Sequence, residues 1–285
     1  IERMEVTTRN RGQPKQLTPP DHSARRSRME ATIIRIHAKR SPRTILTLAV
    51  SLLLFPLPLV AQDKWDFVFA PYVLAPSING STTLGRVGGD VSIDPGDIWK
   101  NLEAGGMLHF EGHHDTGFGF ALDYSFMDLG NGATSPIGDI RADYKQSVIE
   151  AVATYQIDSN GDQIDFYAGL RHWDIDARVS VLTGPATGQV NHTANWTDPI
   201  VGLRWQRQIA PDWRLMMQGD VGGGGSDFTW NAMGGFAYDR WENTSVFIMY
   251  RALGVDYEEG TRGTSSFFEY DTVTQGLLAG VGFRF

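Results

Sequence analysis

The sequence predicts an all-β fold, a transmembrane antiparallel up-and-down β-barrel of about ten strands. Three observations carry that reading. Past residue 61, apolar residues alternate with small or polar ones along stretch after stretch. The connections between stretches are alternately short and long, as in membrane barrels with tight turns on one side and larger loops on the other. The last stretch is amphipathic and ends on the aromatic Phe285.

The first 61 residues stand apart. They carry eleven Lys/Arg against four Asp/Glu, a charge of +7, whereas residues 62–285 carry fourteen against twenty-nine, a charge of −15. Lys39, Arg40 and Arg43 precede the apolar run 44–60, Ala61 ends it, and polar Gln62-Asp63-Lys64 follow. Basic, apolar and then small is the order of a cleavable signal peptide. The run is slightly short for a membrane helix, and Pro56 and Pro58 break it. The expectation is cleavage near Ala61, with 1–61 as extension and leader and 62–285 as the barrel. Residues 1–28 are polar and aperiodic, and Met29 is a candidate start. The acidic body excludes the basic face that nucleic-acid phosphates require. The absence of cysteine excludes disulfides, thiolate metal sites, a Cys nucleophile and a lipoprotein anchor.

The alternation gives ten strands, near 64–75, 103–113, 118–129, 140–157, 163–178, 193–209, 213–222, 227–240, 244–257 and 267–285; the same pattern also accommodates eight or twelve. Leu277, Ala279, Val281, Phe283 and Phe285 share one face of the last strand, opposite Thr274, Gly276, Gly280, Gly282 and Arg284, and only Leu278 breaks the rule. Phe118, Phe120, Leu122 and Tyr124 oppose Gly119, Ala121, Asp123 and Ser125 in the same way. Short turns are expected at 114–117, 159–162, 210–212 and 241–243, and longer loops near 76–102, 130–139, 179–192 and 258–266. The first long loop has room for its own hairpin at 85–89 and a helical turn at 97–102. Trp65, Trp205, Trp213 and Trp241 fall beside the predicted periplasmic end, as an interfacial girdle would. Core packing is the weaker explanation for them, because a barrel this narrow is expected to have little apolar interior.

The stretches 168–173 (AGLRHW), 198–204 (DPIVGLR), 219–223 (GDVGG), 228–230 (FTW), 250–253 (YRAL), 256–257 (DY) and 282–285 (GFRF) follow one another in the order seen in a family of uncharacterised bacterial outer-membrane β-barrel proteins, which the chain resembles from about Trp65 onward. The resemblance implies a barrel fold and an outer-membrane location, and no particular activity. The run 222–225 departs from the family pattern by being shorter. Phe283 and the terminal Phe285 resemble the assembly signal read by the barrel assembly machinery. Outer-membrane lipids and lipopolysaccharide are the other expected partners.

With the small-residue face turned inward, the lumen holds Glu111, Asp123, Glu150, Asp198 and Asp220 together with Arg171, Arg204, Arg214 and Arg251. Both signs come from strands all round the sheet. A barrel of about ten strands is largely filled by its own side chains, which favours a network of mutual pairs over a polar conduit or ligand site. His109, Glu111 and His113 share a face of one strand, a spacing compatible with a metal or a proton-transfer pair. They sit at the periplasmic end, and structural histidines are the commoner case. The glycines at 222–225 lack the Lys and helix of a phosphate cradle. Carboxylates at 94–97 and 256–259 read as solvated loops rather than cation sites. The expected function is therefore a non-enzymatic outer-membrane barrel, structural or surface-interacting or a narrow pore, without catalytic residues, metal or cofactor. The alternative is a barrel enzyme acting on lipid or peptide.

Overall fold

The computed structural model describes residues 64–135, 138–182 and 187–285; the predicted leader lies outside them. The chain forms β1 (Trp65–Leu84), β2 (Val87–Ile93), the short helix α1 (Pro95–Asn101), β3 (Leu102–His114), β4 (Phe118–Ser135), β5 (Gly138–Ser159), β6 (Asp162–Val181), β7 (Gly188–Ala210), β8 (Trp213–Gly222), β9 (Phe228–Trp241), β10 (Thr244–Glu259) and β11 (Phe268–Arg284). From β3 to β11 each strand pairs antiparallel with the next, and β11 returns to β1 in register from Val68↔Arg284 to Leu84↔Phe268. β1 and β3 to β11 thus close a ten-stranded barrel, and β2 is an added partner on the far half of β1.

Closure is what lets a sheet cross a lipid phase, because no backbone edge is left unpaired. The alternation then sorts the side chains. Phe118, Leu122, Ile149, Phe166, Leu170, Val201, Leu203, Met217, Ile248 and Leu277 are exposed on the outside. They form the apolar band. Trp213 and Trp241 stand exposed at its lower rim, beside the tight turns, and Trp65 packs there against Phe67 and His114. The four predicted turns fall where the pattern put them. In the second, Asn160 (φ 52°) and Gly161 (φ 86°) supply the two left-handed residues that a two-residue hairpin turn requires.

The predicted long loops need correction. The segments near 130–139 and 179–192 are mostly strand, because the ribbons β4–β5 and β6–β7 stay paired from the turns up to Ser135↔Gly138 and Val181↔Gly188. Above the apolar band lipid no longer dictates an apolar residue at every second position, so the period-2 pattern fades while the hydrogen-bond ladder continues. In the first loop β1 runs on to Leu84, the hairpin β1–β2 turns at Gly85-Arg86, and α1 follows, close to the expected hairpin and helical turn.

Val201 lies outward near the middle of the band, with 59% of its surface exposed. Val201→Arg is expected to lower the stability of the refolded barrel in vesicles by about 2–4 kcal/mol, the range for a cation on the lipid face at mid-depth. Urea titration by Trp fluorescence would measure it.

Candidate functional site: a lumen filled in layers

All nine residues of the expected charge network point into the barrel, where burial is deepest at Arg171 and Asp198, both at 0% exposure. At mid-height Glu150 Oε1 accepts from Arg171 Nε and from Arg251 Nη2, each at 2.9 Å. Arg171 also donates to Asp220 (2.8 Å) and to Thr229 (3.2 Å), and Arg251 Nε donates to Asn231 Oδ1 (3.0 Å). Asp220 accepts further bonds from the Tyr167 hydroxyl and the Asn231 amide. Tyr72 donates to Asp123 at 2.8 Å. β5 and β10 stand five staves apart in the ring of ten, so the Arg251–Glu150 bond crosses the lumen.

A second layer lies toward the turns. Arg204 on β7 donates to Asp165 (2.8 Å) and reaches Glu111 on β3 (2.6 Å), again across the barrel. His109 sits 3.3 Å from both Asp123 and Glu111, and His113 Nε2 is 3.3 Å from Arg204. The trio singled out in the sequence is therefore woven into the ion network. At the mouth Arg214 grips Asp239 with two nitrogens (3.0 and 3.1 Å), and Arg284 joins at 2.7 Å.

One expected member does something else. Asp198 forms no ion pair among the described residues; it accepts from the backbone nitrogens of Gly225 (3.0 Å) and Ser226 (2.7 Å), from the Ser226 hydroxyl, and from Trp196. It holds the β8–β9 connection down onto the barrel. That connection needs glycine: Gly224 has φ 121°, and a Cβ on Gly225 would strike the Thr197 backbone at 2.6 Å. The reading of these glycines as a strand bend fits this geometry.

The expectation of little apolar interior is overturned. Beyond the mid-height charges lies a buried cluster of Val148, Trp173, Ile175, Trp196, Leu253, Tyr257, Phe268 and Tyr270. Trp196 of β7 stacks on Tyr257 of β10 with ring centroids 3.9 Å apart, His192 stacks on Phe268 at 4.4 Å, and the hydroxyls of Tyr144 and Tyr270 meet at 2.7 Å. These contacts bridge facing walls of the barrel. Sequence reasoning assigned Trp173 and Trp196 no lumen role, although both alternate in phase with Arg171 and Asp198 and so share their inward face. Asp165, Asp239 and Tyr72 were missed too, and the same phase rule finds them.

Between the charged layer and the mouth, one wall is apolar. Val68, Ala70, Met216, Met233, Phe247, Met249 and Leu278 face a cavity of about 160 Å³ whose other side carries His109, Glu111, Asp123, Glu150, Arg204 and Arg251.

No known protein family matches this chain by sequence, and no curated protein matches it. In fold it is similar to the outer membrane protease OmpT from Escherichia coli (TM-score 0.51, 8% identity, 79% of this chain and 98% of that one). The translocator domain of the autotransporter NalP from Neisseria meningitidis (0.44, 12%, 85% and 95%) and Ail of Yersinia pestis (0.35, 11%, 78% and 99%) also align. The chain folds as a bacterial outer-membrane β-barrel. Its apolar outer band and aromatic rim are the features such a membrane demands.

Arg171→Ala is expected to leave Asp220 buried without its cation, Glu150 keeping Arg251, and to cost roughly 3–5 kcal/mol, the range for breaking a buried pair. Adding Asp220→Asn should restore part of the loss. Refolding titrations of the single and double variants would show it.

Proposed function

We propose that this chain is a non-enzymatic outer-membrane barrel with a closed lumen, serving a structural or surface-interacting role rather than conducting solutes. The observation that carries this is the double closure: cross-lumen ion pairs at mid-height and, beyond them, an aromatic layer that joins facing walls. A hydrated ion would have to displace both.

The ribbons that project past the apolar band support the surface role. They carry Lys145 paired with Asp128, and Arg141 paired with Asp143 and Glu103. Such a mixed-sign surface suits the sugar and phosphate layer of lipopolysaccharide. Against the enzyme alternative, both His109 ring nitrogens and His113 Nε2 are already engaged by Asp123, Glu111 and Arg204 within the ion network.

Purified barrel inserted into planar lipid bilayers is expected to give no stepwise conductance. Regular open-channel steps would overturn the closed-lumen reading. Hydrolysis of a lipid or peptide substrate that disappears in His109→Ala would overturn the non-enzymatic one.

A further inference from the structure

The buried charges of the lumen do not balance. Among the described residues, the mid-height layer and the layer below it hold five carboxylates, those of Glu111, Asp123, Glu150, Asp165 and Asp220. They share three arginines, Arg171, Arg204 and Arg251. His109, held between Asp123 and Glu111, can cover one of the two surplus negative charges. The other has no counter-charge in a place where unpaired charge is costly.

The hydrogen bonds show the same surplus. Arg204, Arg214 and Arg251 engage every guanidinium nitrogen. The carboxylates do not use every oxygen. The bonds to Glu150 fall on Oε1 and those to Glu111 on Oε2. Asp165, at 1% exposure, takes Arg204 on Oδ2, while its Oδ1 is buried without a partner among the described residues. Thr154 Oγ1, on the neighbouring strand β5, is likewise buried and unpartnered. Buried polar atoms in this condition are few in native proteins and call for a partner.

Asp165 and Thr154 both line the lumen cavity, together with Glu111 and Glu150. The cavity thus presents acceptor oxygens, and its guanidinium groups are already taken, so an anion finds little to bind. No group of three or more His, Asp or Glu side chains among the described residues could hold a metal ion. The opposite wall is apolar, formed by Ala70, Met216, Met233, Phe247, Met249 and Leu278. At about 160 Å³ the space is comparable to a cavity of about 150 Å³ that takes up benzene. A guest with an ammonium head and a body the size of one ring satisfies both sides. The head supplies the missing positive charge and donates to the unused oxygens, and the thioether chains adapt to the body. The lining continues to Arg214, Gly282 and Arg284 at the turn end, where the Arg284 side chain is 37% exposed.

We infer that the periplasmic half of the lumen is a binding site for a small organic ammonium ion, its head on Asp165 and Thr154 and its apolar body against the methionine wall. The aromatic layer lies beyond this site, so the site stands whether or not that layer blocks ions.

The probe is para-fluorobenzylammonium, followed by ¹⁹F NMR with the barrel in phosphatidylcholine nanodiscs and empty nanodiscs as the blank. Saturable binding is expected, with para-fluorobenzyl alcohol, which keeps the shape and loses the charge, about ten-fold weaker or more. Asp165→Asn leaves a carbonyl for Arg204 and turns an amide N–H toward the unused side, so it should weaken the ammonium about ten-fold or more. Thr154→Val removes an oxygen that has no partner to lose, and should weaken binding about five-fold. Heat-modifiable gel shift checks that each variant folds; should Asp165→Asn fail, Thr154→Val and the cavity-filling Ala70→Leu carry the test. A cavity that holds only water gives no saturable signal above the blank, and that result overturns the site. Alcohol bound as tightly as the ammonium overturns the recognition of charge. Ammonium binding unchanged in Asp165→Asn overturns the placement of the head, and binding unchanged in both Thr154→Val and Ala70→Leu overturns the lumen as its location.

Discussion

The structure depends on one constraint: several arginines and carboxylates must be kept off lipid inside a tube too narrow to hydrate them freely. Arg171, at 0% exposure, meets it with Glu150, Asp220 and Thr229, and Arg251 shares the same Glu150 oxygen from the opposite wall. A buried ion pair is weak evidence of net stabilisation, since desolvation offsets much of the attraction. Its value here lies in register. Side chains alternate with period two, so a one-residue slip of β6 would turn Arg171 onto lipid and leave Asp220 without a cation. Each cross-lumen bond therefore fixes the phase of two strands that never touch through their backbones.

That central layer divides the interior into unlike halves. Toward the outer end the bulk of Trp173, Trp196, Tyr257 and Phe268 fills the lumen; the Tyr144 and Tyr270 hydroxyls are satisfied by one another and by Gln146, and that of Tyr257 by Glu259. Toward the periplasmic end the walls carry smaller or flexible residues, including Ala70, Ala121, Ala237 and three methionines, and a cavity is left. Aromatic rings interlock rigidly from facing walls, whereas thioether chains leave adaptable space. The difference in side-chain type sets which half is solid.

Much of this was legible in the sequence because a membrane barrel imposes a simple rule, lipid-facing apolar residues every second position. That rule located the strands, the tight turns and the inward arginines. It failed where lipid no longer decides. The β4–β5 and β6–β7 ribbons continue above the band without alternation, so their upper parts read as loops. It was blind to partner choice as well: the inward phase of Asp198 was correct, but nothing in sequence says that its carboxylate meets the Gly225 and Ser226 amides rather than an arginine. Inward aromatics were undervalued because apolar residues facing the lumen break the same rule that finds the strands. Leu278, the one exception noted on the last strand, is such a residue; it is 2% exposed and packs with Met249 and Tyr72.

Between Tyr72↔Met107 and Ile78↔Ile93, β1 has no backbone partner on its β3 side, and this gap follows from local chemistry in conflict with closure. β1 carries prolines at 71 and 76, and its pairing with β11 already skips Ala70 and Pro71, where a backbone donor is missing. β3 meets it with Gly105-Gly106, which have no side chains to bridge the space. Apart from Val73, neither segment has the β-branched residues that favour pairing, and the chain between them has left the wall to form β2 and α1. A barrel pinned by cross-lumen ion pairs tolerates such a gap because β1 and β3 are held elsewhere: Tyr72 is tied to Asp123 on β4, and Glu111 to Arg204 on β7. The same buried charges that fix the register therefore let one stretch of wall go unpaired without unzipping the sheet.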